Sequence, residues 1–384
     1  MNIVIAGGGL IGLGIAWRCL QRGLSVSVVD GDPGGGASFA AGGMLAPITE
    51  ASYGEERLLH LCQESLRRYP SFVAELETST GRTVGLRTNG TLQVGFDTDD
   101  MRALDDLHAF HLELGLPAQR LTPGQARRLE PGLTPRLRGA VHVPTDHSID
   151  GRALHGALLA AVVAAGATLV GDRVTGLIVH NGRAGGVTLA GGREVRGEQV
   201  VLALGSHSGR LAGAPPLPVR PVGGQILRLR AEPADGELLS GTIRALVRGR
   251  SVYLVPIGTD GVIVGATSEE KGYHSRVTAG GVFELLRDAI EVVPALAEAE
   301  LVESIVRFRP GTPDNAPILG ATDLPGLVAA TGHYRNGVLL TPVTADAIAE
   351  LLATGDLPEV ATGFDPQRFQ HQSTVHSGAS GRPG

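Results

Sequence analysis

Gly7, Gly9 and Gly12 stand in the G-x-G-x-x-G spacing directly after the β-branched run Ile3-Val4-Ile5, and Asp30 closes the next apolar run of Val26, Val28 and Val29. Residues of these types in this order bind a dinucleotide. Gly7 permits a tight turn, Gly9 lets a pyrophosphate approach backbone N–H groups at the positive end of a helix, and Gly12 lets that helix pack closely on its strand. Asp30 lies near the roughly 20-residue separation expected of an acid that binds ribose hydroxyls. The spacing alone serves NAD enzymes, flavoproteins and non-enzymatic dinucleotide-binding proteins equally.

Other chemistry-bearing residues point to little. His142, Asp146, His147 and Asp150 follow no familiar metal-ligand spacing, and Asp150 is better read as a helix cap, so no metal site is expected. Lys271 is the only lysine and sits in the polar stretch Glu269-Glu270-Lys271-Gly272-Tyr273. A Schiff-base lysine needs an apolar pocket, which this neighbourhood does not offer. Cys19 and Cys62 are too few for a disulfide framework or a thiolate metal cage, and their scarcity fits a reducing cytoplasm.

The elements that position the glycines follow from periodicity. Leu10, Ile11, Leu13 and Ile15 are the apolar residues of a first helix. Residues 34–47 form a run of small side chains punctuated by Phe39, Met44 and Leu45, which reads as a loop packed against something flat. Residues 55–77 read as a helix interrupted at Pro70. Asn89-Gly90 predicts a turn before an alternating strand, and helices are expected over 99–114, 122–129 and 151–165, with Asp150 capping the last and Gly166 ending it. Short strands are expected over 173–179, 186–189 and 195–199, then a buried strand ending in small residues from 200 to 206. Alternating strands at 225–229, 251–255 and 262–266 and a helix over 278–292 indicate an antiparallel region. The 384-residue length suits two domains, and the mixed-sign net charge of −6 leaves no footprint for nucleic acid. No apolar run reaches the roughly 20 residues needed to span a bilayer, and the chain enters its first strand with no signal-peptide pattern.

Ala40-Ala-Gly-Gly-Met-Leu-Ala-Pro47, Arg309-Pro-Gly-Thr-Pro-Asp-Asn315 and Gly332-His-Tyr-Arg-Asn-Gly337, in this order behind the glycine motif, resemble the D-amino-acid oxidase superfamily of FAD enzymes. The likeness is nearest to its glycine-oxidising branch, which serves thiamine biosynthesis. It implies an α/β chain (α+β overall) with a Rossmann-like FAD-binding domain and an inserted, mostly antiparallel β-sheet substrate domain. The FAD-binding domain would comprise residues 1–85, 146–218 and 310–368, and the substrate domain residues 86–145 and 219–309. Residues 369–384, rich in Ser, Gly, His and Gln, would be a disordered tail.

By the same resemblance, noncovalent FAD would lie against Gly7, Gly9, Leu10, Ile11, Gly12 and Asp30 at its adenine-dinucleotide half and against Ala41, Gly43, Met44 and Leu45 at its flavin. Val174, Gly205, Gly332, Tyr334, Arg335, Asn336, Gly337 and Val338 complete the cofactor set. Arg309 would bind the substrate carboxylate, with Tyr253 donating from its hydroxyl and Arg335 nearby, while Ser268 and His333 line the substrate pocket. A guanidinium fork offers two parallel donors to a carboxylate and so aims Cα–H at the flavin N5. From residue type alone, Arg309 could equally pair with Asp314, and Tyr253 could simply fill the core. Ser268 stands where the branch has a methionine, which widens the pocket or alters the amine preference. The implied reaction takes glycine, sarcosine or a D-amino acid, with water and O₂, to an oxo acid (glyoxylate from glycine), ammonia (methylamine from sarcosine) and H₂O₂ in a cytoplasmic homo-oligomer, tetrameric by resemblance. The sequence does not separate an oxidase from a dehydrogenase of the same fold.

Overall fold

The β-branched run at the start of the chain is fully buried and forms the strand Asn2–Ala6, the centre of the first sheet. The computed structural model describes residues 1–231 and 237–372. Asn2–Ala6 pairs in parallel with Ser25–Val29 on one side and Gln199–Leu202 on the other. Thr168–Val170 and Leu327–Thr331 extend the parallel sheet outwards, and the antiparallel strand Ile318–Ala321 completes six.

The two faces of this sheet are buried differently. Ile3, Ile5, Val26 and Val28 face helices Leu10–Gln21, Glu56–Thr80, Gly151–Ala164 and Thr341–Thr354 in one apolar core. Val4, Ala6 and Val29 face a three-stranded sheet of Val174–His180, Arg183–Leu189 and Glu194–Arg196. Burial on both faces is why these strands are continuously apolar rather than alternating.

An eight-stranded sheet forms the other half. Its order runs from Glu300–Gly311 through Arg220–Arg230, Gly261–Gly265, Arg250–Ile257, Thr242–Val247, Thr91–Gly95 and Gly139–Val143 to Gln119–Leu121. Every neighbouring pair is antiparallel except Thr242–Val247 with Thr91–Gly95. One face carries Leu92, Val94, Ile243, Leu254 and Val264 against helix Ala279–Val292. The opposite face carries Ile226, Val255, Ile263 and Ile305, and Phe39, Ala40 and Met44 of the small-residue run pack onto it.

Several elements depart from expectation. The helix Glu56–Thr80 continues through Pro70, which lies on its exposed side while Leu61, Cys62, Tyr69, Phe72, Val73 and Leu76 bury the other. Loss of one backbone bond there, roughly 3 kcal/mol, is offset by that buried face. The stretch expected as one strand at 195–199 is two, because the chain changes sheets at Gly197: its N–H donates to Gly185 while Glu198 N–H donates to Asn2. The strand begun at 200 ends at Leu202, and a 3₁₀ helix, Gly205–Arg210, follows. Thr242–Val247 and most of Glu300–Gly311 lay outside any expected strand. Of the expected tail, residues 369–372 belong to the 3₁₀ helix Pro366–Gln372, and 373–384 lie outside the described residues. Capping follows the sequence more closely: Asp150 accepts from Arg152 and Ala153, and Thr122 and Gln125 form a reciprocal capping box.

A Cβ on Gly12 would lie 1.9 Å from the Gly7 carbonyl oxygen, whereas one on the helical Gly280 would meet nothing within 4 Å. Gly12→Ala is expected to destabilise by about 1–3 kcal/mol and Gly280→Ala to stabilise by about 0.5–1 kcal/mol, both read from urea unfolding midpoints.

Candidate active site

The glycine turn forms an open cradle at the start of helix Leu10–Gln21. Gly9 is the N-cap and carries no side chain, and the first turn holds no acid, so apart from that of Leu10 its N–H groups are available to an anion. Leu10 N–H donates to Ser38 Oγ at 3.2 Å. Asp30 lies over the turn: Gly8 N–H donates to its Oδ2 at 2.6 Å and Asp32 N–H to its Oδ1 at 2.9 Å. His155, from helix Gly151–Ala164, places Nε2 2.9 Å from the Gly8 carbonyl oxygen. Leu10 is buried and Ile11 half-buried. Val174 begins the strand Val174–His180, on the side of the sheet away from helix Leu10–Gln21, and Gly205 accepts from Thr331 Oγ1 at 3.0 Å.

Met44 and Leu45 form a two-residue strand paired with Ser148 and His147, and Ile149 N–H donates to the Gly43 carbonyl at 2.8 Å. Ala41 precedes them and packs against the helical core. This run leads into Ile48 and Thr49, whose N–H groups donate to the buried Asp146 carboxylate at 3.1 and 2.7 Å. Burial pushes Asp146 up to about 6, against those two bonds and the field of Arg244. His142 and His147 are held down chiefly by burial.

Tyr253 and Arg309 meet on the eight-stranded sheet. Tyr253 lies directly opposite Gly265, where a Cβ would come within 2.2 Å of the phenol carbon and oxygen. Gly224 does the same for Arg309: a Cβ there would lie 2.5 Å from both terminal nitrogens. Two glycines thus make a recess for a phenol and a guanidinium. Arg309 donates to the Thr267 carbonyl at 3.2 Å, and Asp314 is bound instead by Arg368 at 2.8 Å, which removes the Arg309–Asp314 pairing. Ser268, next in sequence, is exposed. Burial pushes the Tyr253 phenol up, with Arg309 and Arg244 opposing and Glu50 reinforcing, so the hydroxyl keeps its proton at neutral pH.

Arg244 and Glu50 carried no signal in the sequence. Arg244 is the cross-strand neighbour of Tyr253 and donates to Glu50, with Met44 Sδ 3.8 Å away. Burial alone would raise the Glu50 carboxyl, but Arg244, then Arg335 and Arg309, outweigh it and hold the group below its usual range. Arg244, Arg309 and Glu50 therefore form one charge cluster acting on Tyr253, and Arg335 acts on its Glu50. Arg244 and Glu50 lie 194 positions apart along the chain, where periodicity is blind.

The last glycine-rich block shapes the cluster's edge. Gly332 has φ +75°, and Tyr334 N–H donates to the Pro310 carbonyl at 3.0 Å, tying the block to the residue after Arg309. Arg335 is exposed and stacks near the Tyr334 ring. Asn336 and Gly337 are half-buried and lead into Val338 and Leu339, whose carbonyls accept from Tyr69 Oη at 2.5 Å and Ser65 Oγ at 2.6 Å. His333 is buried, places Nε2 3.0 Å from Thr344 Oγ1, and is pushed by burial down to about 3. A neutral imidazole bonded to the last helix orders this block rather than trading protons.

The model of the FAD dependent oxidoreductases (DAO) matches residues 2–351. The chain belongs to this family. It is 34% identical over 385 residues to the glycine oxidase of Geobacillus kaustophilus, covering 99% of this chain and 98% of that protein. The crystal structure of glycine oxidase from that organism superposes with a TM-score of 0.87 at 33% identity, over 95% of this chain and 98% of the other. The bifunctional protein ThiO/ThiG of Nostoc sp. is 36% identical over 97% of this chain, which spans 56% of that longer protein. The acid-free helix start, the glycine turn and Asp30 fit the pyrophosphate and ribose of FAD, the cofactor of this family.

The raised Asp146 carboxyl makes a signed prediction. The folded state keeps this proton to about pH 6 and the unfolded state releases it near 3.8, so its stabilising contribution is lost as pH rises between those values. Relative to Asp146→Asn, the wild type should lose on the order of 3 kcal/mol from pH 4 to pH 7, measured as the pH dependence of the difference in unfolding free energy.

Proposed function

We propose that the protein oxidises the Cα–N bond of a small amino acid, glycine first, with sarcosine and D-amino acids as the alternatives. The imine is hydrolysed to the oxo acid, glyoxylate from glycine, with release of ammonia (methylamine from sarcosine), and O₂ is reduced to H₂O₂; the product serves thiamine thiazole synthesis. The observation that carries this reading is Arg309, a guanidinium beside a protonated phenol with no carboxylate partner among the described residues. The near full-length likeness to a protein named glycine oxidase supports it.

The six-stranded sheet would hold the cofactor and the eight-stranded sheet the substrate. FAD supplies the acceptor for the hydride of the Cα–H bond. Gly7, Gly9, Gly12 and Asp30 would hold its adenine-dinucleotide half, with Ser38 and His155 beside them. Ala41, Gly43, Met44, Leu45 and residues 332–338 would line the ring. Arg309 grips the substrate carboxylate with two parallel donors, and Tyr253 gives a third hydrogen bond. Orientation is then set by three donors on one rigid sheet, and catalysis is chiefly positioning. No protein base is required when the amine binds neutral. The reading includes a cytoplasmic homo-oligomer, for which sedimentation at the monomer mass is the contrary result.

Purified yellow protein should be bleached anaerobically by glycine and release peroxide in air. Failure of every small amino acid to reduce the flavin overturns the proposal. Arg309→Ala should lower kcat/KM by about 2–4 kcal/mol, and Tyr253→Phe by about 0.5–1.5 kcal/mol, both mainly through KM in steady-state assays.

A further inference from the structure

Gly7, Gly8 and Gly9 place three consecutive residues without Cβ atoms at the cofactor turn, so the peptide planes there rotate at little steric cost. Gly8 is nevertheless fastened on both sides. It is buried, its N–H donates to Asp30 Oδ2 at 2.6 Å, and its carbonyl oxygen lies 2.9 Å from His155 Nε2. A carbonyl can only accept, so the proton of this second bond sits on Nε2. The Gly8–Gly9 peptide is trans, which sets its C=O and N–H on opposite sides. Holding the carbonyl towards helix Gly151–Ala164 therefore turns the Gly9 N–H away from that helix, and it has no acceptor among the described residues.

The imidazole is itself seated. Asp150 caps its helix through the N–H groups of Arg152 and Ala153, at 2.9 and 3.1 Å, within the turn before His155. Gly34 has φ +82°, and a Cβ there would lie 2.6 to 2.9 Å from Cε1, Nε2 and Nδ1 of the ring, so the ring rests on bare backbone.

We propose that His155 is a positioning residue for the cofactor: it fixes the Gly8–Gly9 peptide so that the Gly9 N–H is offered to the FAD pyrophosphate before FAD arrives. This rests on the reading that the glycine turn holds the adenine-dinucleotide half of FAD. Without the bond, a run of three glycines is ordered only when FAD binds, and the entropy lost then is subtracted from affinity.

The test compares His155→Leu, which removes the donor, with His155→Gln, whose side-chain amide N–H stands in for that of Nε2. FAD dissociation constants are read from the fluorescence of flavin released as the holoenzyme is diluted, and urea midpoints are taken with and without excess FAD. His155→Leu should raise the dissociation constant roughly three- to tenfold, the worth of one neutral hydrogen bond, and His155→Gln should restore most of the loss. Asp30→Ala, which frees the other side of Gly8, tests the reading beneath. If Asp30→Ala weakens FAD binding and His155→Leu leaves it unchanged, the role of His155 alone is overturned; if neither variant weakens it, the placement of FAD on this turn falls as well. Equal losses in His155→Leu and His155→Gln, or a urea midpoint that drops by the same amount with and without FAD, mark a residue that serves only the fold and also overturn the proposal.

Discussion

The face of the eight-stranded sheet that meets residues 39–50 must keep charged side chains away from water without neutralising all of them. Isolated buried charge is costly, and a fully paired cluster would have nothing left to bind with. The structure meets both demands by grading its partners. Arg244 has Glu50, Arg335 has its exposure and the field of two carboxylates, and Arg309 has only a backbone carbonyl and the neighbouring phenol. A charge satisfied by weak neutral partners retains binding capacity, because an incoming carboxylate replaces a modest bond with a strong one.

Holding that gradient requires rigid surroundings. Arg244 and Tyr253 sit in register on adjacent strands, so their separation is set by the ladder rather than by flexible chain. Across from them, the acid comes from an irregular segment, which would drift but for Asp146. A buried carboxylate accepting two consecutive backbone N–H groups does for this turn what a capping residue does for a helix. Recesses matter as much as contacts: with any side chain at Gly265 or Gly224, the phenol and the guanidinium would be displaced from the sheet.

Local order was legible in the sequence where a local cause produced it. The glycine turn, the cap at Asp150, the capping box at Thr122 and the apolar strands of the first sheet all depend on neighbours within a few residues. The Pro70 helix was misjudged because a proline on a solvent-facing side removes one bond without disturbing the buried stripe. Gly197 was misread for the opposite reason, since only the two competing sheets decide that the chain must cross there. In the candidate site, Tyr253, Arg309 and Arg335 were reachable through motif resemblance, whereas Arg244 and Glu50 lie in stretches with no distinctive spacing. An ion pair between a strand and a loop far apart in the chain leaves no periodic trace. Ser268 is exposed beside the Thr267 carbonyl that holds Arg309, and His333 is buried against Thr344.

The protonation states around the recess bear on how such a site could work. Tyr253 keeps its proton, His333 stays neutral, and burial keeps the Cys62 thiol protonated, with Glu50, Asp146 and Glu55 acting in the same sense. Glu50 is an ionised carboxylate whose charge acts on Tyr253, and its affinity for a proton is held down by the guanidiniums that act on it. A group stabilised as its anion is a weak base. In the proposed reaction the recess would therefore present donors to a carboxylate and no strong base to an amine, so proton release would belong to the amine before it enters, and the protein's contribution would be to fix the direction in which the Cα–H bond points.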